Sequence, residues 1–131
     1  MKRNRVTSLA LIAGLLTVCS PMFAHYGTNA SYDLGKTVTL TGTVTEFVWS
    51  NPHCQLYFDV KDDQGNVVHW GGETNSPGVL KAAGWSKTTL KPGDQIKIAV
   101  HPSKAGTPVG VIQTITLPDG QVLERGAGGA Q

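Results

Sequence analysis

The chain has few cysteines: Cys19 and Cys54 are the two among its 131 residues. Cys19 lies in an apolar N-terminal stretch, and if that stretch is removed, Cys54 remains alone and no internal disulfide can form. A lone thiol in an oxidising compartment is either buried or reactive. Cys54 falls on the apolar side of an alternating segment, which favours a buried structural thiol. Lipidation at Cys19 is a weaker alternative, because the bulky Val18 precedes it.

The chain also lacks an excess of charge of one sign. The 11 Lys and Arg residues face 9 Asp and Glu, and three of the basic residues (Lys2, Arg3 and Arg5) precede the apolar stretch. Without them the remainder is near −1, which excludes a basic patch for nucleic acid. No nucleophile–base pair, supported carboxylate pair or phosphate loop is visible. We therefore expect no catalysis, and the hydrolase alternative has no residue constellation behind it.

Long hydrophobic runs are missing apart from Val6–Val18, which is too short to span a bilayer as a permanent helix. A basic start, an apolar middle and the small residue Ala24 at the end predict a signal peptide over residues 1–24. We expect export to the periplasm, a mature chain that begins at His25, and no membrane attachment afterwards. In the full chain, Val6–Val18 should form a helix that packs against nothing.

Threonine, valine and glycine are abundant, and turn signals recur about every ten residues, a pattern typical of all-β domains. A capped helix start at Ser76-Pro77 and a stop at Gly84 predict one short helix between strands three and four. This order is that of an OB-fold, a five-stranded Greek-key barrel, whereas an immunoglobulin-like sandwich needs about seven strands. The predicted strands are 37–49, 54–61, 66–73, 95–101 and 109–117, with a bulge between 42 and 46 and a short edge at 122–123. The predicted domains are the signal (1–24), a flexible arm (25–36), the OB-like barrel (37–124) and a disordered tail (125–131).

The register of strands two and three follows from their turn. A three-residue loop with Gly65 in the left-handed region suits the sequence. This loop pairs Phe58 with Trp70 on the apolar face and Asp59 with His69 on the outer face. His69 is then explained by a surface pair with Asp59 rather than by a ligand.

OB-folds bind ligands with strands two and three and with the loops that join strands one to two and four to five. His53 ends the first loop, His101 begins the second, and the register brings Glu73 to the His53 end, where a carboxylate can orient an imidazole. The Asn51-Pro52-His53 segment can equally be a simple turn. We expect a small molecule or an envelope protein as the partner. The predicted ligand-binding residues are Trp49, Asn51, His53, Glu73 and His101.

A transition metal is the alternative ligand. The imidazole and terminal amine of His25 could together bind copper or a similar ion, and the predicted metal-binding residues are His25, His53 and His101. His53 and His69 cannot share a metal, because the register separates them by roughly 20 Å.

Four aromatic residues can either pack in the core or form a surface on which a sugar or another ring stacks. The register turns Trp70 inward and Tyr57 outward, so most of this aromatic area is expected in the core. The four residues are Trp49, Tyr57, Trp70 and Trp85.

Two motifs of the chain are specific, Asn51-Pro52-His53 and Ser76-Pro77 with Gly84-Trp85, and they are accompanied by Ala24-His25, 42–49, Leu80, 90–94 and Asp119-Gly120. Together these segments resemble a family of small exported bacterial proteins of unknown function. The resemblance implies a single periplasmic barrel domain and no assigned activity. Members often begin Ala-His-His-Ser, where this chain has Ala24-His25-Tyr26-Gly27, and this difference weakens the case for an N-terminal metal site.

Overall fold

Residues 31–126 are described by the computed structural model and contain six strands and one short helix. No strand boundary differs by more than one residue from the prediction, and no helix in this range is long and apolar enough to cross a membrane. The expected helix at Val6–Val18 and the predicted metal ligand His25 lie outside the described residues. The elements are β1 (Val38–Val48), β2 (Gln55–Lys61), β3 (Val67–Glu73), α1 (Pro77–Ala82), β4 (Gln95–Pro102), β5 (Val109–Thr116) and β6 (Val122–Glu124).

The strands form the closed five-stranded barrel that the sequence predicted. β1 pairs antiparallel with β2 on one side and with β4 on the other, and β4 pairs antiparallel with β5. A parallel pairing between the end of β3 and the start of β5 closes the barrel, and β6 extends the sheet beyond β5. This strand order is that of an OB-fold.

Two glycines face each other where the barrel closes. Gly72 of β3 pairs with Gly110 of β5. A Cβ on Gly72 would lie 2.8 Å from the Ile112 side chain, and one on Gly110 would lie 2.8 Å from the backbone oxygen of His101. Gly72 therefore allows β3 to pack closely on β5, and Gly110 allows β5 to pack closely on β4, which is a reason for glycine within a strand.

The predicted bulge and hairpin are both confirmed. The register of β1 against β2 shifts between Val44 and Glu46. Gly65 has φ +81°, and the backbone N–H of Asp62 donates to the Asn66 oxygen at 2.8 Å, so the β2–β3 loop has three residues. The resulting register makes the predicted pairs, Phe58 with Trp70 and Asp59 with His69.

Apolar side chains from the alternating strand positions fill the barrel, and α1 contributes one buried side chain to this core. The Ser76 hydroxyl caps α1 by accepting from the Val79 N–H, and Leu80 points into the core. Trp85, which follows the helix, is 3% exposed and donates its indole N–H to the Glu124 carbonyl at 3.0 Å. The main core residues are Val44, Cys54, Leu56, Phe58, Leu80, Trp85, Leu90, Ile96, Ile98, Val100, Ile112, Ile115 and Leu123.

Cys54 is expected to react slowly with thiol reagents in the folded protein. Its side chain is fully buried, as predicted, and this burial raises the pKa of the thiol above its usual value, although a hydrogen bond with the Ser50 backbone opposes the rise. The thiolate is the reactive form, so both its access and its population are low. Labelling with a chromogenic disulfide should be slow in buffer and rapid in urea; rapid labelling in buffer would contradict the buried assignment.

Candidate functional site

A histidine, a glutamate and a tyrosine meet at the end of the β2–β3 hairpin. His53 precedes β2 and donates its Nδ1–H to Oε1 of Glu73, the last residue of β3. The other carboxylate oxygen, Oε2, accepts a hydrogen bond from the Tyr32 hydroxyl at 3.4 Å. The predicted proximity of His53 and Glu73 is thus confirmed. The His53 side chain is 44% exposed, and its Nε2 has no partner among residues 31–126.

Tyr32 makes the alkaline stability of the protein a test of this arrangement. Burial raises the pKa of Tyr32, and the negative charge of Glu73 and the hydrogen bond to it raise this pKa further. An unfolded tyrosine loses its proton near pH 10. The folded protein holds the proton to higher pH, so the free energy of unfolding falls as the pH rises above about 10. Tyr32→Phe should remove this part of the decline in urea unfolding between pH 8 and pH 11. An unchanged decline would show that Tyr32 does not cause it.

Residues 31–36, which we call the arm segment, are fastened to the end of β4. Tyr32 forms a β-bridge with Ser103. The Asp33 N–H donates to the Pro102 oxygen at 2.9 Å, and the Lys104 N–H donates to the Ser31 oxygen at 3.0 Å. This part of the predicted flexible arm is therefore docked by backbone hydrogen bonds.

His101 holds the other end of the arm segment. Its Nδ1–H donates to the Lys36 carbonyl at 2.7 Å, and its Nε2 accepts from the side-chain amide of Gln113. Both ring nitrogens are therefore engaged within the protein. Binding a metal or another ligand through His101 would require breaking one of these bonds.

The other residues singled out from the sequence form no described hydrogen bond with the cluster of His53, Glu73 and Tyr32. Trp49 packs against the core with its ring edge-on to Phe47, centroids 5.9 Å apart. Asn51 is exposed, and the peptide that joins it to Pro52 is cis. His69 pairs with Asp59 at 2.5 Å on the outer face, as predicted. Within residues 31–126, no group of three or more His, Cys, Asp or Glu side chains is arranged to hold a metal ion.

A cleft of about 420 Å³ lies between the arm segment and the loop after β4. We call it the β4–β5 cleft. Its apolar lining comes from Val38, Trp70 and Pro102, and its polar lining includes Asp33 and Lys36 of the arm segment. The remaining lining residues are Ser103, Lys104, Gly106 and Thr107.

Sequence reasoning missed Tyr32, Asp33 and Lys36. They lie in an aperiodic polar stretch with no motif, so nothing local marked them. One signal was available: the segment directly precedes β1, and the start of β1 pairs with the end of β4. The chain before β1 must therefore run close to the β4–β5 loop, which was already an expected ligand-binding element.

The fold and the site define a small OB-fold domain with a polar cluster and a cleft at its loops. The family of unknown function DUF6152 matches residues 12–113, and the chain belongs to this family. No curated protein and no solved structure matches the chain significantly.

Proposed function

We propose that this protein is an exported, non-catalytic binding domain that takes a small molecule in the β4–β5 cleft. Export is supported by the basic, apolar and small-residue order of residues 1–24. The cleft volume of about 420 Å³ falls within the usual range of small-molecule sites. An envelope protein, which the sequence also allows, would need a larger contact surface than this cleft supplies.

The observation that carries the proposal is that the arm segment, which lines one side of the cleft, is held by side-chain hydrogen bonds near both of its ends. Glu73, held by His53, bonds Tyr32 near one end of the arm segment, and His101 bonds the Lys36 carbonyl at the other end. A wall that is held before the ligand arrives lowers the entropic cost of binding. His53, Glu73 and His101 then act as positioning residues for the cleft.

A fragment screen by nitrogen–proton correlation NMR tests the proposal on protein produced from the full chain. We expect several small molecules to shift the indole signal of Trp70 and the amide signals of Lys36, Gly106 and Thr107 together. Binders that shift other surfaces only, or a diverse collection with no binder, would contradict the proposal.

Thr107→Trp fills the cleft from an exposed loop position and should weaken every cleft binder. Thr88→Trp is the matched control, because Thr88 is also exposed and also has its hydroxyl bonded to a serine hydroxyl. Equal binding by the wild type and Thr107→Trp would place the ligand elsewhere.

Transition-metal binding through His53 is a second candidate, favoured by one observation. The carboxylate of Glu73 fixes the ring through Nδ1, and Nε2 of this half-exposed side chain has no partner among residues 31–126, an arrangement that metal-binding histidines commonly have. Titration with Cu²⁺ should show a site that His53→Ala removes and His69→Ala preserves, since His69 has a similar carboxylate partner on the outer face. Equal loss in both variants would indicate adventitious surface binding.

A further inference from the structure

The β4–β5 cleft is lined by one aromatic residue, Trp70, and by three charged residues, which we call the rim. Trp70 stacks on Phe58 with ring centroids 6.3 Å apart and an interplanar angle of 22°. Trp70 also lines the cleft, and its stacking on the buried Phe58 ring limits the movement of its side chain. A rigid aromatic surface of this kind suits a ring that has an apolar face.

The charged residues of the rim are two lysines, Lys36 and Lys104, and one carboxylate, Asp33. Lys36 forms no ion pair with any residue between 31 and 126, and its backbone is held by His101. Asp33 uses Oδ1 to accept the Gly35 N–H at 3.2 Å, while Oδ2 has no partner in the same range. The rim thus offers an ammonium group for an acid and a carboxylate oxygen for a hydroxyl.

We propose that the ligand is an acidic sugar, a pyranose ring that carries a carboxylate; this inference rests on the proposed function. The C–H face of the ring would lie against Trp70, its hydroxyls would donate to Asp33, and its carboxylate would pair with Lys36. Loops of OB-folds commonly bind oligosaccharides. Charge-assisted hydrogen bonds of the Lys36 type are about twice as strong as neutral ones.

Two other ring-bearing ligands fit the cleft less well. A purely aromatic acid has no hydroxyl to donate to Asp33, so this carboxylate would lose contact with water without gaining a hydrogen bond. Single-stranded nucleic acid requires a basic groove with successive aromatic side chains, whereas Trp70 is the one aromatic residue in the lining.

D-glucuronate and D-glucose form a matched pair of probes, because they differ only in the carboxylate at C6. NMR titration of protein produced from the full chain should show glucuronate binding at the cleft about tenfold more tightly than glucose. Lys36→Ala should remove this difference, and Lys87→Ala, an exposed lysine outside the cleft lining, should preserve it.

The outcomes separate this inference from the proposed function. Equal affinity for the two sugars, or an unchanged preference in Lys36→Ala, would overturn the assignment of an acidic sugar as the ligand. The proposed function would still stand if the fragment screen finds other molecules that bind in the cleft. Tighter binding of an aromatic acid such as indole-3-acetate than of glucuronate would also overturn it. If no compound from either experiment binds the cleft, the proposed function fails with it.

Discussion

Trp85→Ala is expected to lower the free energy of unfolding by about 3–5 kcal/mol, the usual cost of deleting a buried aromatic side chain. The indole is 3% exposed, lies 6.2 Å from the Phe47 ring, and ties β6 to the core through the Glu124 carbonyl. Because small domains have a total stability of roughly 5–15 kcal/mol, this loss removes a large part of it. Urea denaturation followed by circular dichroism measures the change.

Trp85→Phe is the control for that experiment. It keeps most of the ring volume but loses the hydrogen bond to Glu124, which contributes about 1 kcal/mol. We expect the free energy of unfolding of Trp85→Phe to lie between the values for the wild type and for Trp85→Ala. A cost below about 1 kcal/mol for Trp85→Ala would mean that the ring is not part of the core.

Gly110→Ala is expected to destabilise the barrel by about 1–3 kcal/mol or more, because it overpacks the contact between β5 and β4. The new Cβ would meet the backbone oxygen of His101 at 2.8 Å and the Cβ of Val100 at 2.9 Å. The contact with a backbone atom cannot be relieved by turning a side chain, so β5 must move away from β4.

Gly78→Ala supplies the matched control. Gly78 lies in α1, and a Cβ there meets no atom within 4 Å. Alanine is better than glycine inside a helix by roughly 0.5–1 kcal/mol, so this variant should be slightly more stable than the wild type. Urea midpoints that fall equally for both variants would contradict the close approach at Gly110.

The predictability of this fold has a physical basis. Alternating apolar residues from Cys54 to Val60 and the three-residue loop at Gly65 leave only one register for β2 and β3. That register placed Glu73 beside His53, and the structure confirms their hydrogen bond. Local patterns and a turn are enough here because all the information lies within one hairpin.

The cleft could not be predicted in this way. His101 donates a hydrogen bond to the backbone carbonyl of Lys36. Because every residue has such a carbonyl, no pattern of residue types indicates this contact. The cleft is likewise formed by three separate parts of the chain, among them the arm segment and Trp70. Its shape depends on barrel closure, which sequence periodicity does not describe.

The central position of β1 has a kinetic consequence. Val38 pairs with Val100, so the first strand has one free edge until residue 100 has been synthesised. Contacts between such distant residues make folding slow, in the millisecond to second range for β-barrels. The barrel therefore cannot close while the chain is still shorter than its fourth strand, and an N-terminal fragment that ends before β4 would leave one edge of β1 without a partner.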